Sequence, residues 1–249
     1  MHRLWTLHND MSRRSDISRQ RLDGEHRSGE VHKLRSLCRL LPYKSYKHAT
    51  VGEAKMLQVL RVHRVMGESS VMVKTDLYQA AESAFQTILE NRKALQKYIE
   101  TYPEFLLALD PVTVSQPAPE IVLRMSRAAE EAGVGPMAAV AGALADLAAD
   151  TMIAQGAGVA VVENGGEISA RRDSMLNVAI NSGKSSLSGT LGLRVYSGDL
   201  PLGLATSSGT VGHALSFGFA DSATVIAENA ALADAAALGR MAGGQFPVP

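Results

Sequence analysis

The order of periodicities along the chain predicts an α+β fold. A short stretch of strand-like alternation comes first. Three helical stretches follow, then a run of short strands between glycine-rich turns. Strands and helices that come in blocks, without regular βαβ alternation, predict α+β over a doubly wound α/β arrangement.

The opening alternation is Leu60-Arg-Val-His-Arg-Val65, with apolar and polar residues in turn. That is the period of a half-buried strand, and Ser70-Val-Met-Val-Lys74 is its expected partner across a turn at residues 66–69. Helical spacing takes over at 78–100. Ala81, Phe85, Ile88, Leu95 and Ile99 fall on one face, and Tyr102-Pro103 ends the run. Residues 110–119 carry three prolines and read as an extended linker. Pro119 suits the first turn of a helix bearing Ile121, Val122, Met125 and Ala129, which Gly133 stops. A second helix, about 136–155, is small or apolar almost throughout and is expected to be buried on most sides. Strands are then expected at 158–162, 176–180, 192–196, 202–205 and 223–227, with a last helix at about 229–242.

Residues 1–45 show no sustained period and read as a basic, mobile N-terminal arm. Residues 1–50 hold eleven Lys/Arg against five Asp/Glu. Residues 46–249 are expected to form a single domain. The formal net charge of the whole chain is +0, and aromatic residues make up only 5%. Neither nucleic acid nor a membrane is therefore expected as partner. One cysteine excludes an internal disulfide framework. No apolar run reaches the ~18 residues of a membrane span, and the N-terminus has no apolar signal-like core, so a cytoplasmic location is the expectation.

Four loops hold residues with chemical potential. In Val162-Glu-Asn-Gly-Gly-Glu167, Gly165 and Gly166 allow positive φ and close approach of a ligand, and Glu163 and Asn164 precede them. A plain tight turn explains the same residues. Gly183-Lys-Ser185 has the ending of a P-loop, but Val178 stands where the first glycine is required and no helix is expected to follow. Thr206, Ser207, Ser208, Gly209 and Thr210 form the strongest candidate, a hydroxyl-rich turn able to make an anion nest. His213 follows it and can hold or donate a proton near neutrality; a surface histidine on a hairpin is the alternative. Asp234 interrupts an alanine-rich stretch, where it either complements a helix N-terminus or binds a hard cation such as Mg²⁺. A small anionic molecule is the expected partner. No zinc spacing, dinucleotide fingerprint or nucleophile elbow is present.

Four segments, Gly133–Ala143, Val162–Ile168, Thr206–His213 and Ala233–Ala237, resemble the signature blocks of a bacterial and archaeal family of uncharacterised function. That family is similar to the ApbE-like (FAD:protein FMN transferase) superfamily. The resemblance covers roughly residues 55–242. It implies antiparallel sheets packed against long helices in a T-fold-like arrangement, FAD or FMN as cofactor or substrate, and Mg²⁺. It implies phosphate-binding roles for Asn164 to Gly166 and Thr206 to Thr210, proton handling by His213 or Glu163, and Asp234 as metal ligand. The alternative it leaves is a non-catalytic flavin- or anion-binding protein on the same fold. The chain also departs from the superfamily pattern. Val140-Ala141-Gly142 lacks the expected lysine, Leu238 replaces the threonine four residues after the metal aspartate, and the His-x-x-Asp-Pro segment has no clear counterpart.

Overall fold

The computed structural model describes residues 5–8, 39–42, 58–173, 175–180, 190–208 and 222–241. They form an α+β arrangement in which every strand pairing is antiparallel. The strands are β1 (Trp5–His8), β2 (Arg39–Pro42), β3 (Leu60–Met66), β4 (Ser69–Thr75), β5 (Ala160–Asn164), β6 (Glu167–Arg172), β7 (Met175–Ala179), β8 (Leu191–Tyr196), β9 (Leu202–Ser208) and β10 (Ser222–Ala227). The helices are α1 (Tyr78–Thr101), α2 (Glu104–Leu107), α3 (Glu120–Ala132), α4 (Val140–Ala154) and α5 (Ala230–Met241), with a 3-10 turn at Pro136–Ala139 leading into α4.

The large sheet runs β1-β10-β9-β6-β5-β4-β3, and a small sheet runs β2-β8-β7. Six strands of the large sheet come from residues 60–227; the four-residue β1 adds the seventh. Two strands thus lie within the segment read as an arm, and the rest of that segment lies outside the described residues.

Strand alternation sends side chains to two different cores. On one face, Val71, Val73, Ala160, Val162, Ala205 and Val225 pack with helical residues such as Phe85, Ile121, Met125, Leu144 and Met152. On the other, Val161, Ile168, Ala170, Leu202 and Leu204 pack with Leu176, Leu193 and Val195 of the small sheet. The layers are therefore helices, large sheet, small sheet. The helix positions expected from periodicity are buried, Ala81, Phe85, Ile88 and Leu95 on α1 and Ile121, Val122, Met125 and Ala129 on α3, except that Ile99 of α1 is half-buried against the same core. Gly133 ends α3 at φ 65, with Val134 N–H donating to Ala129 O at 3.1 Å.

Three points differ from expectation. The strand expected at 158–162 lies at 160–164. Strand β6 was not anticipated, because Glu167, Ser169 and Arg171 alternate toward the helices, so polar residues occupy its helix-facing side. Segment 136–154 is long and apolar enough, by length and composition, to cross a membrane, although the sequence reading found no such run. Half of it is buried in the fold, where Ala143, Leu144, Ala148, Ala149 and Met152 belong to the helix-side core.

Small residues set how closely the layers approach. A Cβ on Gly203 of β9 would lie 2.1 Å from Asn229 C and 2.2 Å from Ala230 N. One on Gly142 of α4 would lie 2.2 Å from Ala230 O. The start of α5 is therefore held between β9 and α4, at backbone distances that only glycine permits.

Candidate functional site

The turn Gly165–Gly166 joins β5 to β6, with φ of 74 at Gly165 and 122 at Gly166. Both values suit glycine and strain other residues. The neighbouring strand β9 pairs with β6 through Ile168↔Leu204. Continuing that register brings the Thr206–Ser208 end of β9 level with the glycine turn. β10 extends the same edge, with Thr206↔Thr224, Ser207↔Ala223 and Ser208↔Ser222. Two of the four loops singled out in the sequence thus meet at one end of the large sheet.

Alternation decides which side chains can work together. Asn164 and Glu167 are cross-strand partners and share the helix-facing side. Asn164 is buried, and its Nδ2 donates to Ala141 O at 3.0 Å. Ala205 belongs to the helix-side core, so Ser207 points to the same side. Thr206 points to the opposite side, where its Oγ1 lies 3.0 Å from Thr224 Oγ1. Glu163 also alternates to the opposite side, as the partner of Ile168 and Met72. Glu163 and Glu167, which bracket the turn in sequence, therefore face different layers. Gly209, Thr210 and His213 lie outside the described residues.

Asp234 sits in the first half of α5, and its Oδ2 accepts a hydrogen bond from Gly142 N–H at 2.9 Å. It thus complements the N-terminal turn of a neighbouring helix, α4, and not that of its own. Burial pushes the Asp234 carboxyl well above the ordinary aspartate range. The Glu167 charge adds to that shift, the N–H groups of Gly142 and Ala141 oppose it, and Asp146 adds a smaller push upward. Burial likewise raises Glu167, to about 7, with its own backbone N–H opposing and the Glu163 charge adding. Glu163 is raised by burial, and nearby His63 draws it back.

Two residues that the sequence reading passed over prove central. The first is Asp146 on α4, which is 1% exposed. Its carboxylate accepts from Ala230 N–H (3.1 Å) and Ala231 N–H (2.9 Å) at the start of α5, from Ser169 Oγ (2.7 Å) and from Arg171 Nη2 (3.0 Å). The available signal was a lone carboxylate in Leu144-Ala-Asp-Leu-Ala148, inside a helix expected to be buried all round. The second is Glu167, which by sequence alone marks the edge of a loop. His63 belongs to β3, where its Nε2 lies 2.9 Å from Ser70 Oγ on an exposed face.

The raised Glu167 carboxyl makes stability depend on pH. Its value in the folded chain, about 7, exceeds the ordinary 4.5. The folded state therefore holds the proton to higher pH than the unfolded state does. This contribution is fully present below the unfolded value and is lost as pH rises through about 7. Glu167→Gln is expected to flatten that part of the profile and to raise stability at pH 8 by on the order of 2 kcal/mol. Urea unfolding of both proteins between pH 4 and 8 measures it; parallel profiles would contradict the assignment to Glu167.

No group of three or more His, Cys, Asp or Glu side chains is placed to hold a metal ion among the described residues. Leu238 stands one helical turn beyond Asp234 and offers no ligand.

Comparison with known proteins gives a consistent result. A family model described as AbpE bacteria matches residues 53–240. The chain is 44% identical over 173 residues to a UPF0280 protein of Methanothermobacter thermautotrophicus, covering 70% of this chain and 66% of that protein. It is 42% identical over 172 residues to a UPF0280 protein of Methanococcus vannielii, covering 68% and 70%. A UPF0280 protein of Methanococcoides burtonii is 38% identical over 178 residues, covering 72% and 75%. The chain thus spans about two thirds of the length of the first of these relatives.

Proposed function

The chain belongs to the family described as AbpE bacteria, and from that premise we propose that it binds and acts on a phosphate-bearing small molecule, with the flavin nucleotides FAD and FMN as first candidates. The observation that carries this reading is the meeting of the Gly165–Gly166 turn with the Thr206–Ser208 end of β9 at one end of the sheet. The Gly166 N–H of this left-handed glycine turn can face an anion without side-chain obstruction, while the Gly165 N–H is committed to Ser70 O at 3.0 Å. The Ser207 hydroxyl, on the helix-facing side with Glu167, would add a neutral donor. Glu167, on the helix-facing side, would donate a hydrogen bond or a proton to a phosphate oxygen when neutral. Proton handling by His213 and Glu163, and anion binding by Gly209 and Thr210, belong to the same proposal. So does the ApbE-like, T-fold-like arrangement, which antiparallel sheets carrying long helices support.

Mg²⁺ is not built into this mechanism. Asp234 already accepts the Gly142 N–H, and Asn164 already donates to Ala141 O. With Leu238 at the next turn, the described residues do not assemble the ligand set that the resemblance implies.

The test is a thermal-shift panel of FAD, FMN, ADP and inorganic phosphate on purified protein, followed by chromatography of FAD incubations. A ligand at one hundred times its Kd raises stability by about 2.7 kcal/mol. FAD or FMN is expected to raise Tm, and Gly166→Val is expected to abolish the shift. Release of FMN and AMP from FAD and water, slowed in Glu167→Gln and His213→Ala, would support an enzyme. Binding without turnover would select the second reading, a non-catalytic binding protein, which the missing lysine at Ala141 favours. No shift with any of the four compounds would refute both readings.

A further inference from the structure

We infer that Asp234 and Asp146 form a reciprocal clasp between α4 and α5, and that the Asp234 carboxyl is committed to this clasp and not to a divalent cation. Each helix offers a carboxyl to the first turn of the other. Asp146 of α4 accepts from Ala230 and Ala231 N–H, which open α5. Asp234 of α5 accepts from Gly142 N–H, in the first turn of α4.

These N–H groups have no partner within their own helix, because the first turn lacks preceding carbonyls. The donor positions themselves, Gly142, Ala230 and Ala231, are buried. The Gly142 position lies within van der Waals contact of the Ala230 backbone, and Ala230 is fully buried. A buried donor without a partner is costly, so each carboxyl answers a need created by the close crossing. Asn164 secures the same turn of α4 from the other side, with Nδ2 on Ala141 O. Adjacent residues 141 and 142 are thus held by Asn164 and Asp234, two positions that the sequence suggested for ligand and metal. A cation at Asp234 would have to share its carboxyl with the Gly142 N–H. It would also find no further His, Cys, Asp or Glu set among the described residues.

The clasp does not rest on the nucleotide reading, and its test reads no activity. Metal-free protein is compared with and without 5 mM Mg²⁺, as wild type, Asp234→Asn and Asp234→Ala. Asparagine retains an oxygen acceptor for Gly142 N–H, so its Tm is expected to stay within about 2 °C of wild type. Alanine leaves the donor unpaired and is expected to lower Tm by roughly 4 °C or more. Mg²⁺ is expected to shift none of the three. Amide exchange gives a second readout: Gly142 N–H should exchange faster in Asp234→Ala and not in Asp234→Asn. A Mg²⁺-dependent rise in wild-type Tm that Asp234→Asn removes would overturn the inference. Unchanged Gly142 exchange in Asp234→Ala would overturn it equally.

Discussion

Asp146→Ala is expected to destabilise the protein by about 3–5 kcal/mol, the cost typical of removing one partner from a buried ion pair. The carboxylate joins three structural elements. It receives two N–H groups from the start of α5, the Ser169 hydroxyl and the Arg171 guanidinium from β6, and it rides on α4. Arg171 in turn reaches Asp150 Oδ1 at 2.8 Å, and Arg124 of α3 reaches Asp150 Oδ2 at 2.7 Å. The Arg171 side chain is 14% exposed and that of Asp146 is 2% exposed, so solvent screens their pair little. Alanine would leave two helix-opening donors, a hydroxyl and a guanidinium without this acceptor. Asp146→Asn keeps an oxygen acceptor but loses the charge, and its cost should be smaller than that of alanine. Urea unfolding at fixed pH measures both. Equal stability of Asp146→Ala and wild type would show that the network contributes nothing net.

Gly203→Ala is expected to cost about 3 kcal/mol, the upper end for overpacking a well-packed site. The added methyl would lie 2.1 to 2.2 Å from three backbone atoms of Asn229 and Ala230. No rotamer relieves a Cβ clash, so β9 and the start of α5 must separate. That separation pulls Ala230 and Ala231 N–H away from Asp146. The two sites are coupled, so the double variant Gly203→Ala, Asp146→Ala should be less destabilised than the two single costs predict together. Strict additivity in that cycle would argue against the coupling, and a Gly203→Ala protein of wild-type Tm would argue against the crowding itself.

Much of the architecture was readable because it follows local rules. Phe85, Ile88 and Leu95 repeat at helical spacing, Gly133 sits where a left-handed cap is needed, and residues 60–65 alternate as a strand must. These patterns depend on neighbours in sequence. Strand β6 was hidden because its polar residues face inward. Ser169 and Arg171 look solvent-directed until Asp146 and Asp150, contributed by another element, are placed against them.

The candidate site divides in the same way. The sequence by itself marked Gly165, Gly166 and Thr206 to Ser208 as permissive, hydroxyl-bearing segments, because glycine freedom and side-chain chemistry are local properties. Only the tertiary structure decided that these segments share one sheet end, that Glu163 and Glu167 face opposite layers, and that Asp234 serves a helix other than its own. Strand register and helix crossing set those outcomes. Both depend on which distant residues come together, Gly142 and Gly203 against Ala230 above all, and no spacing along the chain encodes that contact.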